Sequence, residues 1–198
     1  MHFNTFVMIP AHGDINDLVA LALGPFSEDL EVLEYKRYLD PTEIAAMAGH
    51  YDVEPTDKSA LVLLMTDWNG SSGGFDANGV YALLNNNPDA RFDWYVIGGR
   101  WDGAVLGRLT QHDPYDENRA QHNVIPATAL VGAPYLEDLP PHCVVTPDGS
   151  WHECETLVVE GWMNWRLETK DEDAWLCEVR DLLAQHPNHR VVGVDIHR

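Results

Sequence analysis

Lysine and arginine are scarce in this chain, which has 12 basic residues against 32 acidic residues and a formal net charge of −20. Such an excess of negative charge repels phosphate groups, so we expect no direct binding to nucleic acid. The acidic residues are spread along the chain and form no run of about five or six like charges. Their excess therefore indicates either a highly soluble surface or a protein partner with a basic surface.

Cysteine is also scarce, and its count of 3 is odd. Cys143, Cys154 and Cys177 therefore predict no disulfide framework. No apolar run approaches the ~18 residues that a membrane-spanning helix needs, and the first residues lack the basic segment and apolar core of a secretion signal. We thus expect a protein of the reducing cytoplasm that does not bind membranes.

Complete catalytic signatures are missing as well. The sequence contains no serine in a nucleophile elbow, no dinucleotide-binding fingerprint and no paired histidine motif of a metal-binding helix. Residues 69–79 are rich in glycine but lack the lysine of a phosphate-binding loop. We therefore predict no cofactor, and whether the chain is an enzyme stays open.

The most informative stretch is FDWYVIGGRWDG, at residues 92–103. Apolar side chains on both sides of residues 92–97 predict a central strand that is covered on both faces. Gly98 and Gly99 then interrupt the strand, and such a pair permits a bulge or the close approach of a ligand. Residues 103–109 are predicted to form a return strand.

Arg100 follows the glycine pair and carries a planar fork of donors that suits an anion. Trp94 and Trp101 could form stacking walls around such a ligand, with Asp102 beside them. Alternatively, Arg100 forms an internal ion pair with Asp93 or Asp102. A central strand predicts a buried Trp94 and places Arg100 in a partly shielded position at the end of the strand. There Arg100 must pair with an acidic group or a bound anion, because an uncompensated buried charge is unfavourable by several kcal/mol.

The same stretch carries a resemblance to a protein family. Residues 87–101 resemble the pattern Asn-Pro-x-x-(Lys/Arg)-(Trp/Phe)-Asp-Trp-Tyr-x-Ile-Gly-Gly-Arg-Trp of uncharacterised bacteriophage and actinobacterial proteins. Residues 145–152 and 194–197 are also similar to that family. Some relatives carry a Cys-x-x-Cys-x-Gly element upstream, where this chain has Ser71, Ser72, Gly73 and Gly74. The resemblance therefore implies no zinc knuckle here, and it implies an accessory protein of phage or mobile-element type without an established activity.

Periodic patterns predict a single α+β domain over residues 1–198, with a mixed, mainly antiparallel sheet and three or four helices largely on one face. Its strand–helix–strand start favours a ferredoxin-like beginning. Strands are predicted at residues 3–10, 31–39, 92–97, 156–162 and 190–197. Helices are predicted at residues 14–23, 40–51, 56–68 and 169–186, the third with a buried strand as the alternative and the last opened by a capping box of Thr169 and Glu172.

The final predicted strand places Asp195 and His197 on the same side. A carboxylate beside a histidine can orient the imidazole as a general base or a metal ligand. Polar residues at the end of a chain are more often simply exposed, and that alternative remains.

Two regions could hold a metal ion. Residues 142–154 predict a hairpin in which His142 faces Cys154 and Val144 faces His152, so that His142, His152 and Cys154 could bind zinc. An ordinary edge hairpin is the alternative, and a register shift of one residue would disperse the three side chains. The second region is a polar segment at residues 110–123, whose composition is more typical of a solvated loop; its candidate ligands are His112, Asp113, Asp116, Glu117 and His122.

Two functions are compatible with these observations. The first is a cytoplasmic accessory protein that binds a partner with a basic surface. The alternative is a hydrolase that acts on a nucleotide or another small phosphorylated ligand. In that hydrolase Arg100 would bind the anion, and His197, oriented by Asp195, would be the base. The alternative requires the two strand ends to meet in space.

Overall fold

The computed structural model describes residues 1–69, 72–110, 116, 118–161 and 164–198. The chain has an α+β fold with mainly antiparallel sheets, as predicted. Its internal contacts divide it into two compact units. Unit 1 comprises Met1–Leu30, Pro88–Glu155 and Thr169–Arg198, and unit 2 comprises Glu31–Asn87 and Thr156–Glu168. A single domain over residues 1–198 stays a prediction, and each unit is described by itself.

Unit 1 is built on one sheet of six strands, which are β1 (His2–Pro10), β5 (Trp94–Ile97), β6 (Val124–Pro126), β7 (Cys143–Val145), β8 (Trp151–Glu153) and β11 (His189–His197). Their order is β5-β11-β1-β7-β8, with β6 also paired to β11. Among the described strands of this sheet, β1 and β7 pair in parallel and the other pairs are antiparallel.

Strand β1 is buried on both faces. Its segment Phe6, Val7, Met8 and Ile9 is apolar without alternation, and each of these side chains is almost fully buried. A strand of this kind needs a packed element on each face, because the apolar side chains on both faces are stabilised by removal from water.

Two helices provide the covers. Helix α1 (Ile15–Leu23) packs against the face that carries Val7 and Ile9, together with a short helix α4 (Arg119–His122). Helix α6 (Glu172–Gln185) packs against the face that carries Phe6 and Met8, together with a short helix α5 (Ala127–Leu130). The prediction that the helices lie largely on one face is therefore wrong for unit 1. The apolar pattern of β1 on both of its faces is the physical reason.

The stretch that predicted a central strand lies at the edge of the sheet. Strand β5 pairs with β11 and has no second neighbour among the described strands. Gly98 then adopts a φ of 77°, which turns the chain out of the strand. The predicted return strand at residues 103–109 is also wrong, because Ala104–Leu106 forms a 3-10 turn between two glycines with left-handed backbone.

Unit 2 contains three antiparallel strands, which are β2 (Tyr35–Tyr38), β3 (Gly73–Asp76) and β4 (Gly79–Leu84). Their order in the sheet is β2-β4-β3. The ferredoxin-like beginning is wrong, because β2 pairs with β4 and belongs to a different sheet from β1. The glycine-rich loop predicted at residues 69–79 contains β3, although residues 70 and 71 lie outside the described part of the chain.

Two helices cover the sheet of unit 2, and both were predicted. Helix α2 (Pro41–Tyr51) begins with a capping box of Asp40 and Glu43. Helix α3 (Lys58–Asn69) contributes Leu61 and Met65 to the core of the unit. Strands β9 (Glu155–Gly161) and β10 (Asn164–Thr169) pair as a separate two-stranded sheet. No described helix combines the length and the apolar character needed to cross a membrane.

The N-terminal cap of α6 differs from the predicted one. The predicted capping box starts at Thr169, but that residue ends β10. Asp171 caps the helix instead, because its carboxylate accepts a hydrogen bond from the backbone N–H of Ala174 at 3.1 Å. The helix then buries Trp175, whose position matters for the site described next.

Candidate functional site

Strands β5, β11 and β1 bring polar and aromatic side chains together at one end of the sheet of unit 1. In the antiparallel register, His197 lies opposite both His2 and Trp94. The rings of His2 and His197 have their centroids 5.2 Å apart, and the ring of Trp94 stacks on His197 at 5.3 Å. Together with Asp93 and Asp195, these residues form what we call the edge cluster.

Each histidine of the edge cluster is held by its own carboxylate. His2 Nδ1 lies 3.0 Å from Oδ1 of Asp195, and His197 Nδ1 lies 2.8 Å from Oδ2 of Asp93. The predicted pairing of Asp195 with His197 is therefore wrong. Residues two positions apart along a strand are separated by about 6.6 Å, whereas residues on neighbouring strands can come into direct contact.

Hydrogen bonding shifts the acidity of Asp93. Partial loss of water raises its pKa, but the hydrogen bond with His197 and the backbone N–H of Trp94 lower it by more, so the pKa of Asp93 is below its ordinary value. Asp93 is therefore a carboxylate at neutral pH and can hold His197 in a fixed orientation. No described group bonds to the Nε2 atom of either His2 or His197, so both atoms are available to a ligand.

Asp195 is the buried centre of this arrangement, with only 1% of its surface exposed. Besides contacting His2, its Oδ2 accepts a hydrogen bond from the backbone N–H of Arg100 at 2.9 Å. A Cβ atom on Gly99 would lie 2.5 Å from the same Oδ2 and 2.5 Å from the Asp195 Cβ. Gly99 is therefore required because the Asp195 side chain approaches the backbone closely.

Gly98 has a similar role toward a second buried carboxylate. A Cβ atom there would lie 2.7 Å from Oδ1 of Asp102 and 2.6 Å from Nδ2 of Asn123. Asp102 is buried and accepts hydrogen bonds from Asn123 and from the hydroxyl of Thr110. The space at the glycine pair is thus filled by side chains of the protein itself. This finding favours a structural role for Asp102 over the predicted contact with a ligand.

Arg100 and Trp94 differ from the expectation. Arg100 is exposed, and no acidic group of the described residues pairs with its guanidinium, so the predicted shielding is wrong. Trp94 is 44% exposed, so its predicted burial is also wrong. The reason is the edge position of β5: one face of the Trp94 ring stacks on His197, and the rest of the ring has no neighbouring strand to cover it.

A cavity of about 400 Å³ opens beside the edge cluster within unit 1. It shares His2 with the cluster, and Trp101 is part of its wall. Its lining also contains Asn4, which is 3% exposed and whose Oδ1 receives no hydrogen bond from any described residue. The indole N–H of Trp101 is likewise buried without an acceptor in the described part of the chain. The remaining lining residues are Phe3, Pro140, Pro141, His142, Cys154, Thr169, Lys170, Glu172 and Trp175.

The predicted hairpin at residues 142–154 forms in the predicted register, with Val144 opposite His152. Cys154 Sγ lies 3.1 Å from Nδ1 of His142, and both side chains line the cavity. Loss of water lowers the pKa of His142 and raises the pKa of Cys154 to about 11. The pair is therefore a neutral thiol beside a neutral imidazole.

The three expected zinc donors do not converge. His152 Nδ1 instead lies 3.4 Å from a carboxylate oxygen of Glu178 on α6. Within the described ranges, no group of three or more histidine, cysteine, aspartate or glutamate side chains could hold a metal ion. Of the loop candidates, His122 Nε2 lies 3.6 Å from a carboxylate oxygen of Asp116. The other three loop candidates (residues 112, 113 and 117) lie outside the described residues.

Reasoning from the sequence missed His2 and Asn4. Both lie at the start of β1 and point to the face that α6 covers, as alternation with the buried Phe6 and Met8 indicates. The alternation was visible in the sequence, but the partners of these residues were not. Pairing of the first strand with the last strand is what makes them part of a site.

The chain matches no protein-family model, no curated protein and no solved structure. The resemblance to bacteriophage and actinobacterial proteins therefore stays a prediction. A fold does not by itself imply a function, so we infer the function from the chemistry of the edge cluster and of the cavity.

Proposed function

We propose that the protein is a hydrolase that acts on a nucleotide or another small phosphorylated ligand by general acid–base catalysis. The observation that carries the proposal is the edge cluster: two imidazoles 5.2 Å apart, each oriented at Nδ1 by its own carboxylate. One positioned histidine can take a proton from the attacking water while the other donates a proton to the leaving oxygen, and hydrolysis of an ester needs both transfers.

His197 and His2 have different roles in this mechanism. His197, oriented by Asp93, takes a proton from the attacking water through its free Nε2. His2, oriented by Asp195, donates a proton to the leaving oxygen. The assignment follows from position, because His2 lines the cavity and is therefore the histidine nearer to a leaving group that occupies it.

Arg100 remains the proposed anchor for the phosphate. Its backbone N–H is fixed by Asp195, while its guanidinium is exposed and bonds to no acid among the described residues. A guanidinium in that state can form charge-assisted hydrogen bonds with a phosphate. It also supplies local positive charge in a chain whose net charge of −20 would otherwise repel an anion.

The proposal is tested with para-nitrophenyl phosphate and bis(para-nitrophenyl) phosphate, a monoester and a diester whose product is coloured. We expect His2→Gln and His197→Gln each to lower kcat by about 100- to 10,000-fold, the usual contribution of a positioned acid or base. His12→Gln is the matched control, because His12 is exposed and lies outside the edge cluster. Hydrolysis by the wild-type protein no faster than in buffer alone, for both esters, would contradict the proposal.

A second candidate function is a cytoplasmic accessory protein, of phage or mobile-element type, that binds a basic protein surface. The observation that favours it is the net charge of −20. Complementary charge accelerates association and makes it sensitive to salt. Recovery of a partner from host lysate at low salt, with loss of that partner at high salt, would support this candidate. The absence of any salt-sensitive complex would count against it.

A further inference from the structure

The cavity of unit 1 contains a thiol and an imidazole that the proposed phosphate chemistry does not use. His142 and Cys154 face each other across the hairpin of β7 and β8, where the backbone N–H of Cys154 donates to the carbonyl oxygen of His142 at 3.0 Å. Opposed residues of an antiparallel pair carry their side chains on the same face of the sheet. Both side chains line the cavity, and Cys154 Sγ lies 3.1 Å from His142 Nδ1. The hairpin therefore places a nucleophile and a base side by side.

A carboxylate lies near the second nitrogen of the imidazole. Glu155 Oε2 is 4.0 Å from His142 Nε2, and Glu155 Oε1 accepts a hydrogen bond from the hydroxyl of Thr169 at 3.4 Å. The ring of Phe3 packs against the imidazole, with the ring centroids 4.3 Å apart. A carboxylate near Nε2 favours the tautomer that carries its proton there, so Nδ1 can accept the proton of the thiol. Thiol, imidazole and carboxylate thus have the order of a nucleophile, its base and the group that orients the base.

The thiol and the imidazole are accessible from the cavity. The side chain of His142 is 17% exposed, and Cys154 is also partly exposed. The cavity volume of about 400 Å³ falls in the range of small-molecule sites, roughly 300–1,000 Å³. Trp101, Trp175 and two prolines give the cavity apolar walls. These walls suit a substrate that is uncharged and carries an apolar group.

The resting pair is neutral. Loss of water raises the pKa of Cys154 to about 11, and it lowers the pKa of His142 although the charge of Glu155 acts in the opposite direction. A thiolate is therefore not formed in advance. An adjacent base activates such a nucleophile by removing its proton as it attacks. The imidazolium that forms is then stabilised by the carboxylate of Glu155.

We infer that Cys154 and His142 form a second catalytic site, which hydrolyses an uncharged carboxylic ester with an apolar acyl group. Cys154 Sγ attacks the carbonyl carbon, so that an S–C bond forms and the C–O bond to the leaving alcohol breaks. The thiol proton passes through His142 Nδ1 to the leaving oxygen. Water then attacks the thioester and gives a proton to Nδ1, the acid leaves, and the sulfur takes the proton back. The inference goes beyond the proposed function, because the reacting atom is a carbonyl carbon and not phosphorus.

Hydrolysis of para-nitrophenyl butyrate, an uncharged ester with a short apolar acyl group, tests the inference. Cys177→Ser serves as the parent protein for every measurement, because Cys177 is exposed and could be acylated without any site. We expect the parent to release nitrophenol faster than buffer alone. Acid quenching during turnover, followed by peptide mapping with mass spectrometry, should find the butyryl group on Cys154.

Three variants of the parent assign the roles. Cys154→Ala should abolish the butyryl adduct, and His142→Gln should lower kcat by about 100-fold or more, the usual contribution of a positioned base. Glu155→Gln should lower kcat by a few-fold with KM unchanged, because Glu155 acts through the orientation and charge of His142. His12→Gln is the matched control and should leave the rate unchanged, since His12 is exposed and does not line the cavity.

The inference is overturned if the parent hydrolyses the butyrate ester no faster than buffer does, or if no adduct forms on Cys154 during turnover. It is also overturned if Cys154→Ala keeps the rate of the parent. If Cys154→Ala does not fold, the adduct mapped on the parent decides the question. Failure here is distinct from failure of the proposed function, because the phosphate esters depend on His2 and His197.

Discussion

His2 and Asp195 are 193 positions apart in the sequence, yet His2 Nδ1 lies 3.0 Å from Oδ1 of Asp195. The same carboxylate accepts the backbone N–H of Arg100. One buried side chain therefore connects the first strand, the last strand and the turn after β5. It links the stability of this end of the sheet to the geometry of the edge cluster.

Removal of that carboxylate should destabilise the protein. In Asp195→Ala, the backbone N–H of Arg100 loses its acceptor and His2 loses its partner, so we expect the free energy of unfolding to fall by about 2–3 kcal/mol. Urea denaturation followed by tryptophan fluorescence measures the change. Asp93→Ala is the matched control, and because that carboxylate is one-third exposed, its effect should be smaller. Equal losses in the two variants would show that burial of Asp195 is not what matters.

Gly99→Ala should be more harmful than an ordinary glycine substitution. The new methyl group would lie 2.5 Å from Asp195 Oδ2, and the backbone φ of 59° is one that alanine rarely adopts. We expect a loss of about 1–3 kcal/mol in the free energy of unfolding. Gly132→Ala is the control, since nothing lies within 4 Å of its added methyl group. A Gly99→Ala variant as stable as Gly132→Ala would refute the close approach.

The Asp93–His197 pair should make stability depend on pH in the acid range. The pKa of Asp93 is lower in the folded protein than its unfolded value of about 3.9. The ionised carboxylate therefore contributes stability above the unfolded pKa, and this contribution is lost as the pH falls through the folded pKa. We expect the difference in stability between wild type and Asp93→Asn to shrink toward zero over that interval. A difference that grows on acidification would falsify the assignment.

The three cysteines should react with iodoacetamide in a fixed order at neutral pH. Cys177 is exposed and should be alkylated first. Cys154 is only partly exposed and its pKa is raised to about 11, so its small thiolate fraction makes it much slower. Cys143 is buried and its pKa is raised further, so it should react only after unfolding. Peptide mapping by mass spectrometry over time measures the order, and rapid alkylation of Cys154 would contradict the neutral pair with His142.

Local patterns were sufficient for much of the fold. The turn at Pro147, Asp148 and Gly149 and the alternation on both sides of it predicted the hairpin register correctly, because Gly149 supplies the positive φ that this turn needs. The helices of unit 2 followed from the Asp40 cap and the apolar spacing of the later helix. These turns, caps and helices can be predicted from the sequence because each depends on interactions among a few neighbouring residues.

The position of a strand within a sheet cannot be predicted from such local patterns, because it depends on which distant strands pair with it. Residues 92–97 are apolar on both sides, which is typical of a central strand, but β5 lies at the edge. Aromatic stacking accounts for one side of it, since Trp94 packs on the ring of His197 and not beneath another strand. The exposure of Arg100 follows from the same edge position.

By itself, the sequence determined the α+β class, most of the helices and the hairpin at residues 142–154, and it placed Asp195 and His197 on one side of the last strand. Only the tertiary structure decided which partners these two residues have. The sequence shows that Asp195 and His197 share one side of a strand, but not which strands lie beside it. The antiparallel pairing of β11 with β1 and β5 places His2 against Asp195 and Asp93 against His197. Hydrogen bonds act over about 3 Å, so a site made of them exists only where the folded chain brings distant residues that close.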